Sequence, residues 1–318
     1  MHLGLQIEPQ FGYSYATLRE IARTTESLGF RNLWVSDHLF LDSAAEATDC
    51  FEAWTLLAAL AAETSTLRLG AMVTCQSYRN PAVLAKMAAG VDQMSGGRLE
   101  FGIGAGWKEA EYRAYGFDFP PPAQRVDEME DTIAICQALW TQPRVTYHGR
   151  RYRVDDAVAS PKPVQALLPT WVGGKLPRVM RIAARTAHWF NLGGSGSLAA
   201  LGQSLEALTT ACLAVGRSPD TLKRSLFAQC VVSADPAAFD GLVQRHYFAR
   251  GHRTVAELLV ARPGFIVGTP EQVVEHLETL GRMGIEHVNV VFPTGEEQHS
   301  LELLAPFIGR LAGTAAAR

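Results

Sequence analysis

The chain has 318 residues, with 29 Lys and Arg against 32 Asp and Glu, a formal net charge of −3. It is 47% hydrophobic and 19% charged, the balance of a folded globular chain and not of a disordered one. No basic block points to nucleic acid, and the longest strongly apolar stretch, 53–62, is far shorter than the about 20 residues a bilayer span needs.

Short β-rich runs alternate with longer helical ones. Residues 3–7 read as the first strand and 15–28 as a helix ended by Gly29. The second strand is 32–36, and an amphipathic helix over 51–63 precedes the third, 67–74. A helix over 81–94 opens on Pro81, where a missing N–H costs little. The fourth strand, 98–103, leads into a long helix over about 125–140. An insertion at about 141–168 holds a hairpin over 145–154, turning at His148-Gly149. Its second half runs extended from Pro161-Lys162-Pro163 to Pro169, because proline blocks helix. Strands five and six, 170–172 and 188–192, flank a helix over 177–186. A helix over 198–215 precedes strand seven, 226–232. A second insertion, about 233–264, reads as helical over 239–261 with a break near Gly251. Then come a helix over 270–283, strand eight over 287–292 and a helix over 301–311, with the small-residue tail 313–318 expected to fray.

Eight strands, each followed by a helix, is the count of an α/β fold closed as a (β/α)8 barrel, here one domain over 1–318. A doubly wound sheet also alternates, but it carries a glycine fingerprint in its first strand-to-helix turn. This chain has Glu8-Pro9-Gln10-Phe11-Gly12 there.

In such a barrel the chemistry belongs at the C-terminal ends of the strands. Asp37-His38, after the second strand, is the one acid–histidine pair at a strand end. Its imidazole is suited to shuttling a proton near neutral pH, or is a structural residue capping the loop. Gly104-Ala105-Gly106 lets a flat ligand approach the backbone with Trp107 as a wall, or is a tight turn with a packing tryptophan. Gly173-Gly174-Lys175 precedes a helix, so free N–H groups with Lys175 and Arg178 make an anion site there, or an ordinary turn with surface bases. Gly193-Gly194-Ser195-Gly196-Ser197 serves a similar purpose or is a flexible loop. The acid pairs Asp155-Asp156 and Glu109/Glu111 read as solvated surface carboxylates. HExxH, CxxC, P-loop and GxSxG motifs are absent, and no metal site is expected. Cys50, Cys75, Cys136, Cys212 and Cys230 lack metal-ligand spacing and read as buried thiols of a reducing compartment. With no basic segment leading an apolar core at the start of the chain, a cytoplasmic location is expected.

In combination these residues resemble the bacterial luciferase-like monooxygenase superfamily, and within it the coenzyme F420-dependent oxidoreductases. The resemblance is carried by Leu33-Trp34-Val35-Ser36-Asp37-His38-Leu39, Leu67-Arg68-Leu69-Gly70 and the run from Tyr78 to Lys86. It continues through Ser95-Gly96-Gly97-Arg98-Leu99, Gly102 to Trp107, Leu139-Trp140, Pro161 to Gln165 and Trp171-Val172-Gly173-Gly174. It covers about 1–195 well and is looser beyond, resting on Gly268-Thr269-Pro270-Glu271 and the last strand.

The resemblance implies a cofactor at the C-terminal face, a homodimer and a small-molecule substrate. It puts Asp37 and His38 beside a deazaflavin ring, with Asp37 orienting His38 or touching the ring. It implies a non-prolyl cis peptide at Met72-Val73 behind the ring, with Thr74 at the ring edge. Gly106 and Trp107 border the same site, and Gly173, Gly174 and Lys175 match the family's phosphate-binding turn. Three departures matter, one being Ala187-His188-Trp189-Phe190 where the family commonly has Ala-Asp-Gly-Trp. Trp107 stands where some sugar-phosphate-using members carry an acidic glutamate, and Leu39 to Asp42 lacks the tryptophan those members place there. A sugar-phosphate substrate is therefore not expected.

The leading expectation is an F420-dependent oxidoreductase transferring a hydride to or from a small organic substrate. The alternatives are an FMN-dependent monooxygenase of the same superfamily and a non-catalytic flavin- or deazaflavin-binding paralogue. The Ser36-Asp37-His38 pattern favours the deazaflavin, since flavin members more often carry a glutamate–histidine pair there.

Overall fold

The computed structural model describes residues 1–41, 47–194, 196–247 and 251–313. Eight parallel strands close on themselves: β1 (His2–Ile7), β2 (Asn32–Val35), β3 (Arg68–Ala71), β4 (Leu99–Gly104), β5 (Thr170–Gly173), β6 (Trp189–Gly193), β7 (Lys223–Val232) and β8 (His287–Val291). Each pairs with its neighbours in chain order, and β8 returns to β1 in the register His2 to His287, Leu3 to Val288. The molecule is a (β/α)8 barrel, as the alternation predicts.

The two faces of each strand pack differently, as the period-2 alternation of side chains requires. Leu33 and Val35 of β2 join the large core between strands and helices. Trp34, between them, belongs to a separate cluster with Met72, Trp171 and Trp189 inside the barrel. Trp171 lies parallel to Trp189 with ring centres 4.3 Å apart, and Trp34 meets Trp171 edge-on at 4.8 Å. Glycine makes the room. A Cβ on Gly70 would collide with the Trp34 ring and the Glu100 carbonyl.

Several boundaries differ from the sequence reading, for local reasons. The third strand is interrupted: β3 ends at Ala71, Met72-Val73 is a cis peptide, and a two-residue strand Thr74–Cys75 resumes pairing with β4. The long helix starts earlier, at Pro122, because proline suits a first turn. A six-residue helix, Glu109–Ala114, precedes it, too short to show a period in the sequence. The hairpin is wider, with strands Val145–His148 and Arg153–Ala157. β7 starts earlier, at Lys223, and a short strand, Ile266–Gly268, pairs with its end. The second insertion forms helices Phe239–Tyr247 and Val255–Ala261, which share a small core of Leu242, Val243, Tyr247, Leu258, Phe265 and Val231. The final helical run divides into Glu297–Leu304 and Ile308–Gly313, so Gly313 is helical, and the rest of the tail, 314–318, lies outside the described residues.

All five cysteines are free thiols. Four are buried, but Cys50 is only half-buried, contrary to expectation, because it sits in the loop after β2 and not in an element. Among the described residues, no helix is long and apolar enough to cross a membrane.

Candidate active site

The loop leaving β2 turns Asp37 and His38 in different directions. The Asp37 carboxylate is buried and accepts two hydrogen bonds from Arg79, at 2.7 and 2.9 Å, and one from the Cys75 N–H at 2.9 Å. Arg79 also pairs with Glu52. Asp37 is thereby committed to tying the β2 loop to the segment after Cys75. Of the two expected roles, orienting His38 is corrected, since Glu111 performs that task, while Asp37 does line the main cavity.

His38 Nδ1 lies 2.9 and 3.1 Å from the two carboxylate oxygens of Glu111. The same carboxylate accepts the Leu39 N–H at 2.8 Å and the Tyr78 hydroxyl at 2.8 Å, with Lys108 Nζ at 3.4 Å. The Glu111 side chain has no exposed surface. Burial alone would raise its pKa, but the hydrogen bond and charge of His38, the Leu39 amide and the Tyr78 hydroxyl together hold it at about 2. Glu111 is an anion at neutral pH. A neutral His38 therefore carries its proton on Nδ1, donated to Glu111, and leaves Nε2 as a base toward the cavity that His38 lines.

Glu111 was not separable from its neighbours in the sequence. Paired with Glu109, it read as solvated surface charge. Glu109 fits that description, exposed and bound to Arg113 at 2.6 Å. Glu111 lies two residues further along the short helix, beside buried Tyr112, and points inward. The one usable signal was that pairing with Tyr112 just after the Gly104-Ala105-Gly106-Trp107 turn.

A cavity of about 610 Å³ opens at the C-terminal end of the barrel, within the ~300–1,000 Å³ of small-molecule sites. It is lined by His38, Glu111, Met72, Val73, the run from Gly104 to Lys108, and Gly173, Gly174 and Lys175. Here the structure brings together most of the residues the sequence singled out, Thr74 and Arg178 among the exceptions. Thr74 is fully buried and outside the lining, its hydroxyl without a partner among the described residues, while Cys75 faces the cavity. Side chains alternate along an extended segment, so only one of these two neighbours faces the cavity.

The Met72-Val73 bulge stands in the cavity wall because its neighbours are glycines. A Cβ on Gly104 would sit 2.5 Å, and one on Gly173 2.8 Å, from the Val73 methyls. Trp107 follows Gly106 (φ 72°), is 72% exposed, and holds its ring nearly perpendicular to that of His38 at 5.9 Å.

Gly173-Gly174-Lys175 opens onto the helix Pro177–Thr186. Its N-cap residue, Leu176, supplies no capping side chain, so first-turn N–H groups are left for a ligand. Lys175 is exposed at this turn. Arg178 is not available there: it pairs with Asp127 and donates to the Ala123 carbonyl at 3.1 Å. Of the second glycine cluster, Gly193 edges the main cavity, and Gly194 and Gly196 line an adjoining one of about 220 Å³. Ser197 caps the helix Leu198–Ala214, and Ser195 lies outside the described residues. The second insertion also reaches the mouth. Its Arg245 and His246 line a third cavity, about 250 Å³, with Gln6 and Glu8, which border the main one too.

A glycine-lined cleft, a histidine held by a buried carboxylate and a helix start without a side-chain cap meet at the mouth of the barrel. The chain belongs to the luciferase-like monooxygenase family, whose model matches residues 3–287. It is 26% identical to an FMNH2-dependent dimethylsulfone monooxygenase of Pseudomonas putida, over 88% of this chain and 84% of that protein. It is 27% identical to an F420-dependent glucose-6-phosphate dehydrogenase of Intrasporangium calvum, over 86% of this chain and 87% of that one. Its fold matches that of an F420-dependent secondary alcohol dehydrogenase solved with an F420-acetone adduct, with a TM-score of 0.83, 17% identity and 98% of each chain covered. The relatives are thus oxidoreductases and monooxygenases of both cofactor types.

Proposed function

We propose that the chain is an F420-dependent oxidoreductase that passes a hydride between the deazaflavin and a small organic substrate. The observation that supports it best is the His38–Glu111 pair beside a cavity of about 610 Å³. When bound, the cofactor supplies the ring carbon that carries the hydride; the protein supplies binding, orientation and electrostatics.

The fit rests on three features of the wall. The Met72-Val73 backbone, admitted by Gly104 and Gly173, gives a flat ring something to lie against. The Gly173-Gly174 turn, the first N–H groups of the following helix and Lys175 hold the phosphate. Trp107 is placed to cover substrate. His38 Nε2 takes or gives the proton that accompanies hydride transfer, and Glu111 holds the ring in the tautomer this needs and stabilises the imidazolium that forms. In this reading the enzyme acts as a homodimer in the cytoplasm, which light scattering and fractionation check.

Titration of the purified protein with F420 and, separately, with FMN, followed by tryptophan quenching, tests the reading. Tight F420 and weak FMN binding supports it. The reverse preference makes the protein an FMN-dependent monooxygenase, a reading that the similarity to an FMNH2-dependent relative also favours. Binding without oxidation or reduction by any offered substrate marks a non-catalytic paralogue.

A further inference from the structure

A row of polar side chains crosses the barrel interior, a space that branched apolar residues usually fill. The strand register sets Asn191 of β6 beside Ser225 of β7, and Ser225 beside His287 of β8. All three are buried, as is Asn289, two residues along β8. The His287 ring meets Trp171 and Trp189 edge-on, at 5.4 and 6.0 Å. At the other end of the row, Asn191 lines the main cavity and is 8% exposed.

The hydrogen bonds of this row run in one direction, and His287 sets it. Complete burial keeps the ring neutral at pH 7, so it holds a single proton. Nδ1 has no partner among the described residues, whereas Nε2 lies 2.6 Å from Asn289 Oδ1. A proton on Nδ1 would be a buried N–H without an acceptor, a rarer orphan than an unused acceptor, so the proton sits on Nε2 and is donated to Asn289. Asn289 then turns its Nδ2 the other way, donating to Asn191 Oδ1 at 3.4 Å. The Ser225 hydroxyl donates to the same oxygen at 2.9 Å. Asn191 Oδ1 therefore has both its acceptor sites used, while its Nδ2 makes no hydrogen bond among the described residues. The amide is held with its donors left for the cavity. An uncharged donor matches a neutral acceptor oxygen, which costs far less to desolvate than an anion.

We infer that Asn191 is a specificity-determining donor of the cavity, its Nδ2 taking a carbonyl oxygen of the bound molecule, and that His287, through Asn289, is the positioning residue that turns the amide that way. This deepens the proposed function and rests on it for the cavity's use, but not for the polarity of the amide. The carbonyl belongs to the cofactor ring or to the substrate.

Asn191→Asp keeps an acceptor for Ser225 and Asn289 but removes the donor, and Asn191→Leu removes it without adding charge. Quenching titrations and infrared difference spectra of these variants and wild type separate the two sources. The probes are F420, FMN, and the pair cyclohexanone and methylenecyclohexane, which has the same shape without the oxygen. A cofactor carbonyl predicts a bound C=O band moved to higher frequency in both variants, roughly 2- to 10-fold weaker F420 or FMN binding and unchanged cyclohexanone binding. A substrate carbonyl predicts unchanged cofactor bands and affinities, and a loss of that size for cyclohexanone but not for methylenecyclohexane. Asn289→Leu, which frees the amide to turn, should reproduce the same pattern in weaker form; wild-type behaviour there removes His287 from the positioning role. Unshifted bands, together with cyclohexanone binding that is absent from wild type or unchanged in the variants, overturn the inference. So does an equal loss for every probe, which marks a structural residue. If the wild type binds no flavin or deazaflavin, the functional reading fails, and the cyclohexanone–methylenecyclohexane comparison still decides the role of Asn191.

Discussion

Glu111 Oε2 lies 2.9 Å from His38 Nδ1, although 73 positions separate the two residues in sequence. The contact fixes which imidazole nitrogen serves the cavity. His38→Ala is expected to lower turnover by about 10²–10⁴-fold and leave the cofactor dissociation constant unchanged. Glu111→Gln keeps a hydrogen-bonding partner but removes the charge, and turnover should fall by roughly 10–100-fold. Glu111→Gln turnover equal to that of wild type would falsify the positioning role.

Asp37 holds Arg79 in a buried pair, so its replacement is a matter of stability first. Asp37→Asn should cost about 3–5 kcal/mol in denaturant unfolding, the usual effect of stripping one partner from a buried pair. A variant as stable as wild type but without turnover would instead return Asp37 to a chemical role.

Gly70 and Gly90 make opposite predictions for one substitution. Gly70→Ala forces a methyl into the Trp34 ring and the Glu100 carbonyl, and should destabilise by about 1–3 kcal/mol or more. Gly90 sits inside the helix Pro81–Met94 with its nearest neighbour, Met94 Cε, 4.0 Å away. Gly90→Ala should stabilise by about 0.5–1 kcal/mol. Thermal unfolding of the two variants reads both signs at once.

Two buried groups make stability fall on the acid side. Complete burial, aided by the Arg31 charge, pushes the His287 pKa down to about 3, from about 6.5 in an unfolded chain. Between those values the unfolded chain binds a proton that the folded one refuses, so stability drops as pH falls through that window. Glu111, held at about 2, acts in the same direction below about 4.5, since its native contacts need the anion. Unfolding free energy measured from pH 7 to pH 4 should decline more steeply for wild type than for His287→Gln. Equal slopes would exclude His287 as a source.

Trp107 should report ligand binding through its fluorescence. It is largely exposed at the cavity mouth, whereas Trp34 is sealed inside the barrel. Trp107→Phe is therefore expected to remove a large part of the quenching seen on cofactor addition, and Trp107→Ala to weaken substrate more than cofactor. Quenching of full size in Trp107→Phe would place the ligand away from that wall.

The barrel was legible in the sequence because amphipathic periodicity is a local property. Each run of apolar residues, such as 15–28 or 81–94, declares its own element within about a dozen positions. Residue likeness carried Asp37, His38, Met72-Val73 and Gly173-Gly174 to one mouth. What it left unassigned were the partners. Asp37 and His38 are adjacent in the chain, yet one turns to Arg79 and the other to Glu111. Only the neighbouring Tyr112 set Glu111 apart from solvated Glu109, and its partners were undefined until its surroundings were known. Whether a charge is solvated, paired or stranded depends on what lies within a few ångströms of it. Only closure of the barrel, which brings the loops after β2, β3, β4 and β5 together, decides those neighbours.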